Sequence, residues 1–219
     1  DLDFKKTLAE RFNIDASKIR SVKDIALFDV IVTNPPFGSK IPIQDPTILS
    51  QYEISGTSKS MSPEELFVER CVQFLKPKGR LAVVLPDSIL GSPGKTFIRE
   101  WLLKNCYIIA SIDLHQDTFQ PSTGTQTSVL IVQKKTEEEK REPFHSYNIF
   151  MSLVEKVGHD QRGQDILKRD KNGEIIYFER TIINENGDIE TFDEPELDDQ
   201  TKEVPNIFTR WKKQEGIQW

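Results

Sequence analysis

The chain has 219 residues, a length that suits one α/β domain with an extension. Its net charge of −6 excludes a wholly basic sleeve for nucleic acid and leaves room only for a local basic patch. Two cysteines, Cys71 and Cys106, sit in apolar runs without ligand spacing, so neither a disulfide framework nor a zinc site is expected.

No apolar run approaches a membrane span and no signal peptide is visible, so a cytoplasmic location is expected. The chain opens on Asp1 rather than Met and is expected to be a piece of a longer protein. The hydrophobic share, 37%, is low for a compact domain and unevenly spent. Residues 20–133 hold the dense apolar runs, whereas 134–219 are charged and weakly patterned, and no internal repeat is visible.

In chain order, Phe4, Leu8 and Phe12 recur at a spacing of four and predict a short helix over 4–12. Residues 14–25 read as a connection with a short strand at 19–22. Val30 to Val32 is an apolar, β-branched run that predicts a buried strand. It ends at once in Asn34-Pro35-Pro36-Phe37-Gly38. Two prolines in series fix φ twice and remove two donors, and Pro35 pushes Asn34 into an extended conformation. The corner is therefore a stiff platform with an amide at its front and an aromatic ring at its back. An amide offers one acceptor and two donors to the edge of an amino-substituted ring, and an aromatic ring offers a stacking face.

Residues 39–62 read as a long polar loop, either a mobile lid or substrate loop or plain disorder. Ser62-Pro63-Glu64-Glu65 is a strong helix start. The helix is predicted to run to about Leu75 with Phe67, Cys71, Phe74 and Leu75 inward, and Lys76-Pro77-Lys78-Gly79 stops it. Strands are expected at 81–85, 107–114 and 127–133, with a helix marked by Phe97, Ile98, Trp101 and Leu102. The order strand–helix–strand–helix–strand–strand is an α/β pattern. Its last strand lacks a crossover helix and is free to insert antiparallel. Further on, 137–142 read as a solvated linker, the turn dipeptides at 171–174 and 184–188 predict hairpins, and 193–199 are acidic and expected to be exposed.

Asn-Pro-Pro-Phe after an Asp-Val-Ile-Val strand resembles motif IV of the Rossmann-like, S-adenosylmethionine-dependent amino-methyltransferases. That tetrapeptide alone leaves DNA adenine, RNA guanine and protein glutamine substrates open. Further blocks narrow the resemblance. FVERCVQFLKPKGRLAVVL at 67–85, the Pro86-Asp87-Ser88-Ile89-Leu90 turn, IREWLLKNC at 98–106, the motif VIII-like DTFQPSTGTQTSVLIVQKK at 117–135 and VGHDQRG at 157–163 follow in series. Together they resemble the N6-adenine DNA methylase family, and within it the modification subunit of type I restriction systems, over about residues 1–175.

The resemblance implies a Rossmann-like α/β methyltransferase sheet with an antiparallel last strand over 1–135, incomplete at its N-terminus, and a mixed, charged extension over 136–219. It implies S-adenosyl-L-methionine as cofactor, DNA as substrate, a specificity subunit and a restriction subunit as partners, and no metal or membrane. Asn34 and the Pro35 carbonyl would accept the two N6 hydrogens of a flipped adenine, with Pro36 stiffening the turn. Phe37 would stack on the base, and Phe119 is either a second aromatic wall or a core anchor. Asp3 and Asp24 stand where the family places acids for the cofactor ribose and adenine, or are solvated surface acids. Ser39 and Lys40 could reach a phosphate or simply be solvated, and His115, His145 and His159 lie in loops or the tail. The family's glycine loop and central first strand are not found in residues 1–27. The chain alone is therefore expected to bind the cofactor poorly and to be inactive by itself. Two alternatives stay open: an RNA or protein-glutamine methyltransferase sharing the motif, and a truncated methylase acting only as an assembly partner.

Overall fold

The computed structural model describes residues 6–7, 9–11, 15, 26–36 and 41–217. Lys6, Thr7 and Ala9 to Arg11 are helical. The apolar positions Phe4, Leu8 and Phe12, and the strand expected at 19–22, lie outside the described residues. By packing, the chain divides into two compact units: residues up to Ser111 with Ser128–Ile149, and Ile112–Thr127 with Phe150–Trp219.

The strands are β1 (Phe28–Thr33), β2 (Leu75–Pro86), β3 (Cys106–Asp113), β4 (Thr127–Lys134) and β5 (Phe150–Leu153). They form one mixed sheet in the order β1-β2-β4-β3-β5. β1 runs parallel to β2, with Ile31 beside Leu81 and Thr33 beside Val83. The closing strand β4 inserts between β2 and β3 in the opposite direction. The Lys135 N–H donates to Asn105 O at 2.9 Å and the Leu114 N–H to Thr127 O at 3.0 Å, so its end meets the start of β3 and its start the end of β3.

Two helices cover the sheet, α2 (Pro63–Phe74) and α4 (Thr96–Asn105); single-turn α1 (Pro46–Leu49) and short α3 (Asp87–Gly91) flank them. Leu75, Leu81, Val83 and Leu85 of β2 are fully buried against Val68, Cys71 and Val72 of α2, Ile98 and Leu102 of α4, and Leu130 and Val132 of β4. The start of α2 is fixed as its sequence predicts: the Glu65 carboxylate accepts the Ser62 N–H at 2.8 Å, Pro63 takes the first position, and Lys95 pairs with the same carboxylate. Its end is held from β4. Lys134 Nζ donates to Leu75 O at 2.6 Å and Gln73 O at 3.3 Å. Burial, with Lys140 nearby, pushes the pKa of that ammonium down.

Three expectations are corrected. β1 is not buried on both faces: Ile31 packs against the core, but Val30 and Val32 are 57% and 78% exposed at the sheet edge. Of the residues expected inward on α2, Cys71 and Leu75 are buried and Phe74 is half-buried, but Phe67 is exposed, and the helix is covered on two sides. Val68, Cys71 and Val72 face the sheet, while Leu66 faces a second cluster with Leu49, Ile54 and Met61. That second cluster is the third correction. Residues 41–62 are ordered structure, pinned by the antiparallel bridge between Ile43 and Met61. Buried Glu69 of α2 accepts the N–H groups of Glu53 and Ile54, each at 2.9 Å. Arg70 donates to Tyr52 Oη at 3.1 Å and Gln51 Oε1 at 3.0 Å. A polar loop without apolar periodicity is thus organised by carboxylate and guanidinium groups that lie on another element.

β2 is also longer than the predicted 81–85. Its first part is a bulge: β1 advances from Phe28 to Val30 while β2 advances from Leu75 to Arg80. Lys78 takes a left-handed φ of 67° there. Gly79 passes so close to β1 that a Cβ would stand 3.0 Å from Phe28 O and 3.2 Å from Asp29 O, and only 2.8 Å from Lys76 O within the bulge itself. The charged run expected to be a free linker returns to this bulge, where Glu139 pairs with Lys78. Burial raises the Glu139 pKa, but hydrogen bonds from Lys78 and the Thr136 N–H outweigh it and hold the carboxyl below its usual value.

In the second unit, α5 (Val204–Gln214), which the sequence reading missed, stacks Phe208 and Trp211 on Phe150 of β5, with ring centroids 5.2 and 5.4 Å away. Its signal was a 3.6-residue stripe of Val204, Ile207, Phe208 and Trp211 behind Pro205. The predicted hairpin turns are present, and one turn geometry recurs three times. Asp160, Asp170 and Asn184 each accept two backbone N–H groups, two and four residues on, through Oδ1. Gly163, Gly173 and Gly187 follow at the positive-φ position. The third turn joins β6 (Tyr177–Ile183) to β7 (Ile189–Pro195). Residues 194–199 are half-buried rather than exposed, because Lys168 pairs with Glu196 and Lys156 with Asp198, each at 2.8 Å.

Gly79→Ala is expected to cost about 1–3 kcal/mol, since the clash is with backbone that cannot swing away; urea unfolding measures it. The turns give an acid-stability prediction. Hydrogen bonds from Gln164 N–H and Arg162 N–H hold Asp160, and those from Glu174 N–H and Asn172 N–H hold Asp170, below the usual carboxylate range. Their contribution is complete above the unfolded carboxyl value near ~3.9 and is lost as pH falls through the lower folded value. Asn184 makes the same bonds without a charge. The double variant Asp160→Asn/Asp170→Asn should therefore melt like wild type at pH 7 and lose less stability on acidification, as followed by circular dichroism.

Candidate active site at the C-terminal end of the parallel strands

In open α/β sheets, ligands bind outside the carboxyl ends of the parallel strands. In the first unit that end is formed by the residues after β1 and β2 and by the start of β4. Asn34 follows Thr33, the last residue of β1, and is exposed; Pro35 behind it is buried and Pro36 is exposed. Burial of Pro35 anchors the turn from below, so the Asn34 amide is presented from a backbone with few freedoms. Phe37, Ser39 and Lys40, and the cofactor candidates Asp3 and Asp24, lie outside the described residues.

At the same end, β2 finishes at Pro86 and Asp87 opens α3, a position where a carboxylate is favoured by the helix N-terminus. Ser128, buried at the start of β4, donates from Oγ to Asp87 Oδ1 at 2.8 Å. Sequence reasoning noted the Leu-Pro-Asp turn but gave Asp87 no role and did not single out Ser128. The available signal was Thr127-Ser128, two hydroxyls opening an otherwise apolar strand. This part-buried polar pair tethers the turn after β2 to the antiparallel strand, at the same end of the parallel strands as the Asn-Pro-Pro corner.

Phe119 belongs to the second unit. It closes a short 3-10 turn, Gln116–Phe119, and is half-buried. The turn is tied by local bonds: Thr118 Oγ1 donates to His115 O at 2.6 Å, and His115 Nδ1 accepts the Asp117 N–H at 3.2 Å. Gln126 Nε2 bridges Leu114 O at 2.7 Å and Asp113 Oδ1 at 3.1 Å, holding the two ends of the loop together. Thr127 Oγ1, fully buried, has no hydrogen-bond partner among the described residues. The structure thus describes Asn34, Pro35 and Pro36 with Asp87 and Ser128 at one end of one unit, and Phe119 on a braced turn of the other.

Thiol chemistry is not available at this site. Cys71 and Cys106 are buried in the core, and burial pushes both thiols up to about 12, so they stay protonated at neutral pH. Among the described residues no group of three His, Cys, Asp or Glu side chains could hold a metal, and no helix is long and apolar enough to cross a membrane. What the corner offers is an exposed amide and rigid carbonyls, which suit positioning of an amino group rather than attack by a nucleophilic side chain.

The chain is similar in sequence to known proteins. Residues 2–202 match the family described as N-6 DNA Methylase. Among curated relatives, the methylase subunit of the Escherichia coli type I restriction enzyme EcoEI is 36% identical over 114 residues, 48% of this chain and 21% of that protein. The methylase subunit of type I restriction enzyme EcoKI from E. coli K12 is 33% identical over 108 residues, 49% of this chain and 19% of that protein. The chain therefore spans about a fifth of the length of these relatives. Among solved structures, a protein of Listeria monocytogenes described as a class I S-adenosylmethionine-dependent methyltransferase is 21% identical, with a TM-score of 0.47, covering 57% of this chain and 36% of that one. With the family matched over most of its length, the Asn-Pro-Pro corner at the end of β1 and the antiparallel β4 in a mixed α/β sheet, the chain belongs to the N-6 DNA methylase family.

Proposed function

We propose that the chain is part of the catalytic core of a restriction-modification DNA methyltransferase that methylates the exocyclic N6 of adenine. The observation that carries this reading is the exposed Asn34 amide held at the end of β1 by buried Pro35. The exocyclic amine of adenine is a poor nucleophile because its lone pair is delocalised into the ring. Asn34 Oδ1 and the Pro35 carbonyl accept its two hydrogens and turn the lone pair out of the ring plane, towards the methyl donor. Rate comes from this positioning, and no charged base is needed to begin. Phe37 is proposed to stack on the base, which must leave the duplex to reach the corner; a role for Phe119 as an aromatic contact to the extruded base rests on the family resemblance of its loop.

S-adenosyl-L-methionine supplies an activated methyl group when bound. We assign Asn34, Pro35 and Pro36 to the target-base side of such a site. Asp3 and Asp24 are proposed for the cofactor side. Among the described elements β1 is at the edge of the sheet, and its outer edge is where a neighbouring strand would pair. A specificity subunit and a restriction subunit are proposed as partners in the cytoplasm, which relieves this acidic chain of reading DNA sequence.

Asn34→Ala, assayed in the assembled methyltransferase with tritiated cofactor and duplex DNA, should lower kcat on the order of 10²-fold or more with an unchanged melting temperature. Retained activity would remove Asn34 from the mechanism. Phe119→Ala should weaken capture of the flipped base by about 1–3 kcal/mol, seen with 2-aminopurine fluorescence at the target position. Loss of folding instead would make Phe119 a core anchor.

A further inference from the structure

The β6–β7 hairpin exposes six large apolar side chains, Tyr177, Phe178, Ile182, Ile183, Ile189 and Phe192. A two-stranded hairpin is marginal in water on its own, so this much uncovered apolar surface calls for a partner. Strand alternation divides the hairpin into two faces. On one, Phe178, Arg180 and Ile182 stand opposite Glu194, Phe192 and Glu190. Its charges are closed internally: Arg180 Nη1 lies 2.7 Å from Glu194 Oε2, and Asn184 Nδ2 donates to Glu190 Oε1 at 2.7 Å.

The other face is different. In order from its base it pairs Tyr177 with Pro195, Glu179 with Asp193, Thr181 with Thr191 and Ile183 with Ile189. Two carboxylates stand directly opposite each other, an arrangement that destabilises a ladder. Among the described residues no ion pair reaches either of them. Apolar groups flank the acids, with Tyr177 56%, Ile183 74% and Ile189 73% exposed. Across the whole hairpin Glu179, Glu185, Asp188, Glu190, Asp193 and Glu194 outweigh the single base Arg180. That field repels nucleic-acid phosphates and also repels a second copy of the same hairpin.

We propose that this face docks a basic segment of another protein. The segment places a Lys or Arg between Glu179 and Asp193 and lays apolar side chains on Tyr177 at one end and on Ile183 with Ile189 at the other, ~20 Å away along the strand. Charge complementarity selects the partner and the apolar ends hold it. The inference does not depend on the methylation reading.

The probe is a fluorescent peptide alternating Lys with Val and Ile, titrated by anisotropy against the whole chain. Binding should weaken at least about tenfold in Ile183→Thr/Ile189→Thr and in Glu179→Lys/Asp193→Lys. A peptide with Glu in place of Lys should bind the charge-reversed variant better than wild type. Circular dichroism checks that the variants, all at exposed positions, remain folded. The proposal is overturned if the basic peptide does not bind, if it binds the variants as well as wild type, or if the reversed pair shows no rescue. It is equally overturned if the hairpin variants abolish binding of a short DNA duplex, or dissociate a dimer in sedimentation equilibrium, since either would assign the face to another occupant.

Discussion

The close approach of Gly79 to β1 is the contact on which the candidate site depends. β1 is an edge strand among the described elements, paired in the sheet with β2 alone, and it enters that pairing through a bulge. There is no room for a side chain where the strands meet, with backbone oxygens of Lys76, Phe28 and Asp29 within 3.2 Å of any added Cβ. Once the bulge is set, the register from Val30 to Thr33 is set too, because each rung fixes the next. The position of Asn34 at the end of β1, relative to Asp87 at the end of β2, follows from an event at the opposite end of both strands. Lys78 and Glu139 brace that event from the surface.

Helix α2 turns one buried strand into a layered structure. One side of it closes over β2, and the other carries Leu66, Glu69 and Arg70 into the segment 41–62. Among the described residues no cation is in direct contact with buried Glu69. It is satisfied by two backbone N–H groups and by Gln73 Nε2 at 2.8 Å. An ordered, hydrogen-bonded carboxylate of this kind costs less to bury than a bare one and specifies a single loop conformation. The segment that follows the Asn-Pro-Pro corner is therefore a built platform over 41–62, and its order derives from the helix that comes after it in the chain.

The second unit solves a harder problem with less apolar material. Its aromatic core is small, Phe150 with Phe208 and Trp211. Much of the rest is a ribbon stitched by isolated bridges such as Leu167 with Leu197 and Arg169 with Ile175. Three near-identical side-chain-closed turns punctuate it, so local hydrogen bonding substitutes for bulk burial. A repeat of this kind is invisible to a search for similar sequence, since only the Asx and Gly positions matter and the residues between them vary freely.

Local chemistry was legible in the residues themselves. The Asn-Pro-Pro corner, the capped start of α2, the strand–helix alternation and the turns at Asp170 and Asn184 all rest on interactions within a few positions, and they stand where the residue types require. So does the antiparallel entry of β4, since a strand reached without a crossover helix has few other routes into the sheet. What only the tertiary structure decided were the features made by distant partners. These are the bulge at Gly79, the ordering of 41–62 by Glu69, the Ser128–Asp87 tether, and the exposure of Val30 and Val32 on a strand whose composition reads as buried. Each depends on which surface another element brings alongside, over separations of tens of residues, and residue type at one position carries no information about that. The amide at Asn34 could be named from sequence because its chemistry is its own, whereas its height above the sheet could not, because that belongs to Gly79.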